Sequence, residues 1–556
     1  MTPSPPPRAA SAEPPQEPTA IAAAVERFLA ECPRAQLQES GKVLVRLQEA
    51  RFTVSAEHGR CTLHVWSAQL NLVRTLTAAV PRGDTLRLTA QRLGHSRPST
   101  LHLAPEPAVG RAPRLRTSRE TARAQYVVQL QRVLARSFPE WQPVAFRTAM
   151  DLEKSFGPAY ARGSIVRGQQ AWAVIGINPE ESQASTDGIL TLGILWLHHC
   201  RSAGSGRYVY QGLRLILPRG SATLTLSRLG WLSTTAAQWE LYELDPATEE
   251  LEQRDPADHG NLITRLIHLP DATAARERFA AATAQVMATV PADAHPAVEQ
   301  RLRSSAELAF LLHGLEFARI RLAPAGHSFA LMQQITFGDG ASETELTPST
   351  APRLAALVAG LVTRRTPQGS ARDLLFRAQP ERWLESRLRT SLPVIDGRLL
   401  ASPVYSQVPA FAASDRGMLD LLGVANDGRL AVVELKASDD LHLALQGLDY
   451  WIRVRWHHLH TADASPAFGQ GELQRHGYFP GMRLAPEAPR LYLVAPALEV
   501  HPATETVLRY LSPGVEWYLI ALDQRWRREL KVVWRRSSGP SGAAIGRGHR
   551  DGHPER

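Results

Sequence analysis

Apolar and polar side chains alternate along much of residues 40–105. The segments Arg60–Trp66 and Thr85–Thr89 place an apolar side chain at every second position. A period of two residues predicts half-buried β-strands. Because a helix is also expected from Ala20 to Cys32, residues 20–110 are predicted to form a helix followed by a small β-rich module.

The rest of the chain combines helical and strand periods. A helix expected from Arg119 to Ser137 opens residues 119–255, which are predicted to be mixed α/β. Residues 256–370 are rich in Ala, Leu and Arg, which favours a mainly helical connector. Residues 371–535 show the order helix, three strands, helix, strand, helix, strand. The chain is therefore predicted to be a multidomain α/β protein.

The composition is that of a globular protein. A chain of 556 residues with 44% hydrophobic and 21% charged residues is expected to form several domains with sizeable cores. The Pro-rich residues 1–19 and the basic residues 536–556 are predicted to be disordered. Three separated cysteines make no disulfide framework, and no apolar stretch has the length of a membrane span. We therefore expect a cytoplasmic protein without a membrane partner.

Positive charge is concentrated near the C-terminal end. The net charge is +9, and residues 524–556 contain nine Arg or Lys against three Asp or Glu. A basic segment indicates a polyanionic partner such as nucleic acid. A solvated tail without a partner explains the charge equally well.

Lysine is rare in this chain, and one lysine ends an apolar strand. Only four lysines occur against 59 arginines, and Lys436 follows the apolar run 431–435, which a single glutamate interrupts. Lysine is a compact charge whose pKa shifts readily on burial, which suits it to positioning or deprotonating a water molecule. Its position therefore predicts a chemical role that arginine could not fill.

A hairpin is predicted to bring two carboxylates to this lysine. The loop 426–428, Asn-Asp-Gly, suits a three-residue connection between two apolar strands. Counting back from the loop places Asp420 opposite Glu434, and Glu434 shares a strand face with Lys436. Facing carboxylates repel each other unless a cation such as Mg²⁺ binds them. A nearby lysine can then orient or deprotonate a water molecule that acts as the nucleophile. A cross-strand salt bridge is the alternative.

The next helix adds two polar side chains and completes a recognisable order. Gln446 and Tyr450 are four residues apart, so they share a helix face. The order Asp420, Glu434-Leu435-Lys436 and Gln446-x-x-x-Tyr450 resembles the PD-(D/E)xK nuclease superfamily, closest to its RecB-like and NucS-like branches. The resemblance covers about residues 371–525 and implies a restriction-endonuclease-like αβββαβ core. Leu419 departs from the proline of the superfamily's name, as many members do.

The resemblance implies a metal site. It implies that Asp420, Glu434 and Leu435 bind Mg²⁺ or Mn²⁺. It further implies that Lys436 serves the attacking water.

The resemblance also implies a supporting group around the metal. Gln446 and Tyr450 would approach the DNA backbone or support the site. The superfamily has a glutamate on its first core helix, for which Glu385 is the better candidate in this chain and Glu381 the second.

Several arginines are candidate contacts to DNA phosphates. They are Arg453, Arg455, Arg527 and Arg528, and the last two are interleaved with tryptophans. Arginines beside aromatic rings suit nucleic acid, because the rings can stack on bases. Alternating strand packing explains the tryptophans nearly as well.

Residues 119–255 show a weaker version of the C-terminal pattern. Trp239 follows Pro218 by 21 residues, the spacing that also separates Trp517 from Pro496. An apolar strand and a helix precede both pairs. We therefore expect a degenerate second nuclease-like domain, with chance similarity of two βαβ pieces as the alternative.

The suspected copy lacks the catalytic residue types. Aligning its strand 171–178 with the strand that ends at Lys436 places Gly176 and Asn178 where the glutamate and the lysine belong. This part of the chain and the N-terminal β-rich module are therefore expected to grip or select the substrate.

Together these features predict a metal-dependent endonuclease that hydrolyses DNA phosphodiester bonds in DNA repair, recombination or defence. The main alternative is a catalytically silent nucleic-acid-binding or scaffold protein with the same fold. A third interpretation is an α/β interaction protein in which the Asp, Glu and Lys side chains form a salt bridge.

Overall fold

The computed structural model divides the chain into two compact units, Met1–Leu115 and Arg116–Arg556. The residues that it describes are 16–32, 35–39, 42–47, 50–57, 59–66, 71–92, 98–105, 118–151, 156–203, 206–257, 264–324, 331–338, 343–412, 415–459 and 471–539. Within these ranges no helix is both long and apolar enough to cross a membrane.

The first unit is one helix packed on one antiparallel sheet. Its elements are α1 (Pro18–Glu31), β1 (Ala35–Glu39), β2 (Lys42–Arg46), β3 (Arg51–Glu57), β4 (Arg60–Trp66), β5 (Asn71–Arg82), β6 (Thr85–Arg92) and β7 (Pro98–Pro105). The sheet order is β2-β1-β7-β6-β5-β4-β3. Helix α1 buries Ile21, Ala22 and Val25 in the core of this unit. The alternating sequence thus forms strands with one buried face, and apolar residues of α1 join that core.

The second unit begins with a six-stranded mixed sheet. Its elements are α2 (Ser118–Ser137), β8 (Gln142–Arg147), β9 (Tyr160–Arg167), β10 (Gln170–Ile177), α3 (Gln183–Asp187), α4 (Ile189–Ala203), β11 (Val209–Pro218), α5 (Thr223–Leu229), β12 (Gln238–Leu244) and β13 (Leu251–Arg254). The sheet order is β13-β12-β11-β10-β9-β8. Its central strands are almost entirely buried, because helices cover both faces of the sheet.

A five-stranded antiparallel sheet follows. The elements here are β14 (Thr264–Arg265), α6 (Ala272–Met287), β15 (Val298–Ser304), β16 (Glu307–Leu312), β17 (Leu315–Pro324), β18 (Leu331–Phe337), β19 (Thr344–Glu345) and α7 (Ala351–Arg364). Strands β15 to β19 pair in chain order, and α6 and α7 pack on them. The prediction of a mainly helical connector over residues 256–370 is therefore wrong.

The missed signal is a two-residue hairpin turn. His313 and Gly314 connect β16 to β17 with positive φ angles of 47° and 76°, as a tight hairpin requires. The Ala, Leu and Arg of the flanking strands are good helix formers, but packing on α6 and α7 outweighs that local preference.

The C-terminal part is a second mixed sheet. Its elements are α8 (Leu374–Arg377), α9 (Pro380–Arg389), β20 (Tyr405–Ala412), β21 (Asp415–Val424), β22 (Leu430–Leu435), α10 (Leu443–Leu459), α11 (Glu472–Arg475), β23 (Arg490–Pro496), α12 (Pro502–Leu508), β24 (Trp517–Leu522) and β25 (Val532–Ser537). The sheet order is β14-β20-β21-β22-β23-β24-β25. The element order expected for residues 371–535 is observed, with β25 as an additional edge strand.

Regular structure reaches into both of the terminal ranges that were predicted to be disordered. Helix α1 begins at Pro18, inside the range 1–19, and β25 continues to Ser537, inside the range 536–556. Residues 1–15 and 540–556 lie outside the described residues.

One apolar core lies between the two mixed sheets. Helices α4 and α5 of the first sheet and α10 and α12 of the second meet in this core. Helix α2 covers the outer face of the first sheet, and α9 covers the outer face of the second.

His313 is a partly buried histidine that resists protonation. Its ring stacks on Trp383, with the ring centroids 5.1 Å apart. Burial, assisted by the charges of Arg365 and Arg387, lowers the pKa of His313 from 6.5 to about 4. His313 is therefore protonated near pH 6.5 in the unfolded chain but only near pH 4 in the folded protein. The folded protein loses stability as the pH falls from about 6.5 to about 4, because the unfolded chain binds the additional proton there.

The variant His313→Asn is expected to reduce this acid sensitivity. Asparagine tolerates the positive φ at this position and does not titrate. Between pH 7 and pH 4.5 we expect the variant to lose about 1–2 kcal/mol less stability than the wild type, after allowance for solvent screening. Denaturant unfolding of both proteins at the two pH values measures the difference, and equal losses would contradict the prediction.

Candidate active site

The hairpin between β21 and β22 has the predicted register. Gly428 has a φ of 82°, and its amide donates to the Ala425 carbonyl at 2.9 Å. The Ala425 amide donates to the Arg429 carbonyl at 2.8 Å. The ladder continues from this loop to the pair of Leu421 and Val433. The next position along each strand belongs to a carboxylate.

Two carboxylates and one ammonium group converge at these strand ends. Asp420 lies one position beyond the last ladder pair, opposite Glu434, and its charge reaches the Glu434 carboxyl group. The Lys436 Nζ lies 3.7 Å from the Glu434 Oε1, and Glu434 is 4% exposed. The Leu435 amide donates to the Asp420 Oδ2 at 2.9 Å. We call Asp420, Glu434 and Lys436 the Asp–Glu–Lys cluster.

Burial raises the pKa of both carboxyl groups. The pKa of Asp420 rises to about 7, because burial and the charge of Glu385 outweigh the Leu435 amide and Lys436, which oppose the rise. The pKa of Glu434 lies well above its ordinary value, through burial and then the charge of Asp420. Two ionised carboxylates in one buried place are unfavourable. The pair therefore favours a bound proton or a bound cation at neutral pH.

Lys436 is held as an ammonium group. Burial lowers its pKa, but Glu434, Glu381 and Asp440 outweigh burial, and the net effect is a raised pKa. Its Nζ lies 3.5 Å from the Asp440 Oδ2. A charged lysine suits orienting a water molecule better than deprotonating it. Asp440 is not among the residues expected from the sequence at this site, although its place four residues after the lysine is a usable signal.

Acceptor oxygens without partners are consistent with a metal at this site. Glu434 Oε2 and Gln446 Oε1 are buried and have no hydrogen-bond partner. Burying an unpaired acceptor is costly, and a divalent cation satisfies such oxygens. Asp420 and Glu434 would hold the ion through carboxylate oxygens, and Leu435 has only its main-chain carbonyl to offer.

The protein side chains alone form an incomplete ligand set. Among the residues that the structure describes, no group of three or more His, Cys, Asp or Glu side chains is arranged to hold a metal ion. Mg²⁺ commonly binds one or two carboxylates and completes its coordination with water and substrate phosphate. Two carboxylates at the cluster fit that pattern.

Helix α10 brings Tyr450 near the cluster, and Gln446 lies one turn before it on the same helix. Burial is the main cause of the raised pKa of Tyr450, and the charges of Glu434 and Asp420 raise it further. The Tyr450 side chain therefore lies near these two carboxyl groups. A Cβ on Gly447 would lie 2.4 Å from the Leu493 Cδ2. A larger residue would require the Leu493 side chain to move, so glycine at this position lets the helix lie close to the strands. The Gln-x-x-x-Tyr spacing is therefore joined to the cluster by a tight helix–sheet contact.

The two candidate glutamates of α9 differ in their surroundings. Glu385 is 1% exposed, and its oxygens lie 3.1 Å from the Arg301 Nη1 and 2.7 Å from the Gln407 Nε2. It therefore ties α9 to β15 and β20, and its charge reaches Asp420. The charge of Glu381 reaches all three members of the cluster. The preferred candidate from the sequence, Glu385, has protein partners, and Glu381 has the wider electrostatic reach.

The four candidate phosphate contacts lie in different environments. Arg453 is 7% exposed, and Arg455 and Arg527 lie over aromatic rings, at 4.5 Å and 4.2 Å from the nearest ring centroids. Arg528 is exposed. Arg453, Arg455 and Arg527 thus take part in packing, and Arg528 is the most accessible of the four. A role for any of them in DNA binding stays a prediction.

Neither a protein-family model nor a curated protein matches the sequence of this chain. The geometry of the Asp–Glu–Lys cluster and of α10 is therefore what bears on function.

Proposed function

We propose that this chain is a Mg²⁺- or Mn²⁺-dependent nuclease that hydrolyses phosphodiester bonds in DNA. The observation that carries the proposal is the pairing of Asp420 with the buried Glu434, which has Lys436 beside it and one acceptor oxygen without a partner. The order α9, β20–β22, α10 and β23 supports the proposal, because it is the αβββαβ order of the fold that the sequence resembles.

Each side chain of the site has a chemical task in this proposal. A divalent cation, when bound, stabilises charge on the phosphate and lowers the pKa of a bound water. Asp420 and Glu434 hold the cation. The Lys436 ammonium orients the water and stabilises developing negative charge, and the nearby Asp440 carboxylate favours the charged form of the lysine.

A purely structural salt bridge accounts poorly for the cluster. The Lys436 Nζ lies 3.5 Å from Asp440 and 3.7 Å from Glu434, both long for a strong ion pair, and the second Glu434 oxygen has no partner. A buried ion pair contributes to stability only when its remaining hydrogen-bonding positions are satisfied. The arrangement is therefore more costly to the fold than an apolar one would be.

A nucleic-acid-binding protein without catalysis is the second candidate. The observation that favours it is the lack, among the described side chains, of a three-ligand group for a metal. This candidate keeps DNA binding and loses hydrolysis, so one set of substrates separates the two.

The test is a cleavage panel with the wild-type chain and Glu434→Ala. The substrates are single-stranded, branched and mismatched DNA, each with Mn²⁺, Mg²⁺ or a chelator. We expect cleavage only with metal, and a loss of about 10³-fold or more in the variant. Because the variant relieves carboxylate repulsion, its metal-free stability is expected to equal or exceed that of the wild type.

Each other outcome supports a different interpretation. Metal-independent DNA binding without cleavage by the wild type would favour the silent binding protein. Absence of Mn²⁺ binding in calorimetry, together with lower stability of Glu434→Ala, would favour the salt bridge of an interaction protein.

A further inference from the structure

The two mixed sheets of the second unit have the same topology. In the first, β8, β9 and β10 are antiparallel, β10, β11 and β12 are parallel, and β13 is antiparallel. In the second, β20 to β22, β22 to β24 and β25 repeat these directions in the same order. Helices α2, α4 and α5 of the first sheet have the same places in the order of elements as α9, α10 and α12 of the second. We call residues 118–254 the N-copy and residues 380–537 the C-copy.

Strand pairing sets the register between the copies. Ile175 pairs with Leu215, and Glu434 pairs with Leu493. Leu215 and Leu493 each lie three residues before the proline that ends their strand. Ile175 therefore occupies the position of Glu434.

Two close-approach glycines give the same register. A Cβ on Gly193 of α4 would lie 3.1 Å from the Ile175 Cγ2, and a Cβ on Gly447 of α10 would lie 3.6 Å from the Glu434 Cβ. Both glycines are needed where a helix lies directly on its central strand. The helices thus sit on equivalent strand positions in the two copies.

The copies face each other across an internal two-fold axis. The Ser233 amide donates to the Tyr510 carbonyl and the Ser512 amide donates to the Trp231 carbonyl, each at 2.8 Å. The same two segments form an antiparallel bridge. Helix α4 contacts α12 while α10 contacts α5. Such reciprocal contacts are those of an isologous interface, here within one chain.

The strand positions of the N-copy that are equivalent to the Asp–Glu–Lys cluster have no carboxylate. By the strand register, the positions equivalent to Asp420, Glu434 and Lys436 are Arg162, Ile175 and Ile177. Arg162 is 1% exposed and lies over the Phe156 ring, 4.7 Å from its centroid. A permanent cation at the position of a metal ligand disfavours a divalent cation there.

This register corrects the sequence alignment by one residue. Gly176 and Asn178 were expected at the positions of the glutamate and the lysine. A Cβ on Gly176 would instead meet Tyr126 and Leu130 of α2, on the outer face of the sheet. Gly176 therefore corresponds to Leu435, which faces α9.

The Asp–Glu–Lys cluster and the equivalent position of the N-copy lie on opposite sides of the axis. His442 and Gly188 occupy equivalent positions, and a Cβ on Gly188 would lie 2.8 Å from the His442 Cε1. The His442 Nδ1 also lies 3.1 Å from the Thr191 Oγ1 of the N-copy. Asp440, which binds Lys436, is two residues from this contact. The starts of α4 and α10 thus meet at the axis with one site position on each side.

From this arrangement we infer that duplex DNA binds across the internal axis and is cut in one strand only. A duplex has two-fold axes of its own, so two symmetry-related copies can meet its two strands in equivalent ways. The C-copy adds water to one phosphodiester, breaking one P–O bond to give a phosphomonoester and a hydroxyl end. The N-copy holds the other strand intact. The inference rests on the proposed nuclease function and specifies its substrate and product.

A covalently closed supercoiled plasmid tests the inference with the full chain and Mn²⁺. We expect the open circle as the first product, with linear DNA appearing only after nicks have accumulated in both strands. Linear DNA formed together with the first open circles would overturn the inference and leave the nuclease standing. Cleavage of single-stranded DNA without any cutting of the plasmid would also overturn it. No cleavage of the plasmid or of any panel substrate would overturn the proposed function itself.

Metal binding gives a second readout that does not depend on cleavage. Mn²⁺ is titrated into the full chain in a calorimeter. We expect the wild type to bind the ion and the variant Asp420→Asn not to bind it. Binding retained by Asp420→Asn at the wild-type affinity would indicate a metal site elsewhere in the chain and overturn the asymmetry between the copies.

Discussion

Replacing Lys436 by alanine is expected to lower metal-dependent DNA cleavage by about 10³-fold or more. The ammonium group lies between Glu434 and Asp440 at the end of β22, where it can orient the attacking water. Metal binding depends on the carboxylates and is expected to persist. Single-turnover cleavage rates with saturating Mn²⁺, together with a Mn²⁺ binding isotherm, measure both effects.

Two further variants separate chemistry from charge. Lys531→Ala removes the same charge from an exposed position of the same copy and is expected to leave the rate unchanged. Lys436→Arg keeps the charge but replaces a compact ammonium with a planar fork, and it is expected to remain defective. Undiminished cleavage by Lys436→Ala would rule out the proposed role of this lysine.

Replacing Arg228 by alanine is expected to destabilise the second unit by about 3–5 kcal/mol. Arg228 is 5% exposed and donates two hydrogen bonds to the Asp449 carboxylate, at 2.8 Å and 2.7 Å. It also donates to the Asp187 carbonyl at 2.6 Å. Its loss leaves the Asp449 charge of α10 unpaired in the core between the copies.

The paired variant Arg228→Met with Asp449→Leu identifies the cause. An apolar pair of similar volume removes both charges, so most of the lost stability is expected to return. Denaturant unfolding at pH 7 gives the free energy of each protein. If the paired variant is as unstable as Arg228→Ala, the loss comes from packing and not from the unpaired carboxylate.

The hairpin of the candidate site could be read from the sequence because strand geometry leaves little freedom. A three-residue loop with glycine at its last position fixes which residues pair, and a period of two then fixes the face. Counting from Gly428 was therefore enough to place Asp420 opposite Glu434. The spacing of Gln446 and Tyr450 was equally local, because residues four apart share a helix face.

Contacts between distant segments could not be read in this way. The ion pair of Glu385 with Arg301 and the ring contact of Arg455 with Trp231 join residues far apart in the chain. The strands of residues 256–370 were missed because Ala, Leu and Arg favour helices until a sheet and its neighbours bury them. In each case tertiary packing decides the outcome.

The register of β10 was missed for a different reason. All but its first residue are buried, because helices cover both faces. A strand that is apolar on both faces shows no alternation, so its sequence does not indicate which residue faces which helix. Aligning it with β22 by similarity could therefore slip by one position, and strand pairing was needed to place Ile175 opposite Arg162.

The contact between Gly188 and His442 shows what joining two copies in one chain permits. In a dimer of identical subunits, a residue on the symmetry axis meets its own twin, so it must be self-complementary in shape and charge. Here the twin of a histidine is a glycine, and even a single added carbon at residue 188 would collide with the imidazole. Two imidazoles could not occupy this place. Because both halves belong to one chain, they can differ at the point where identical partners would be most constrained.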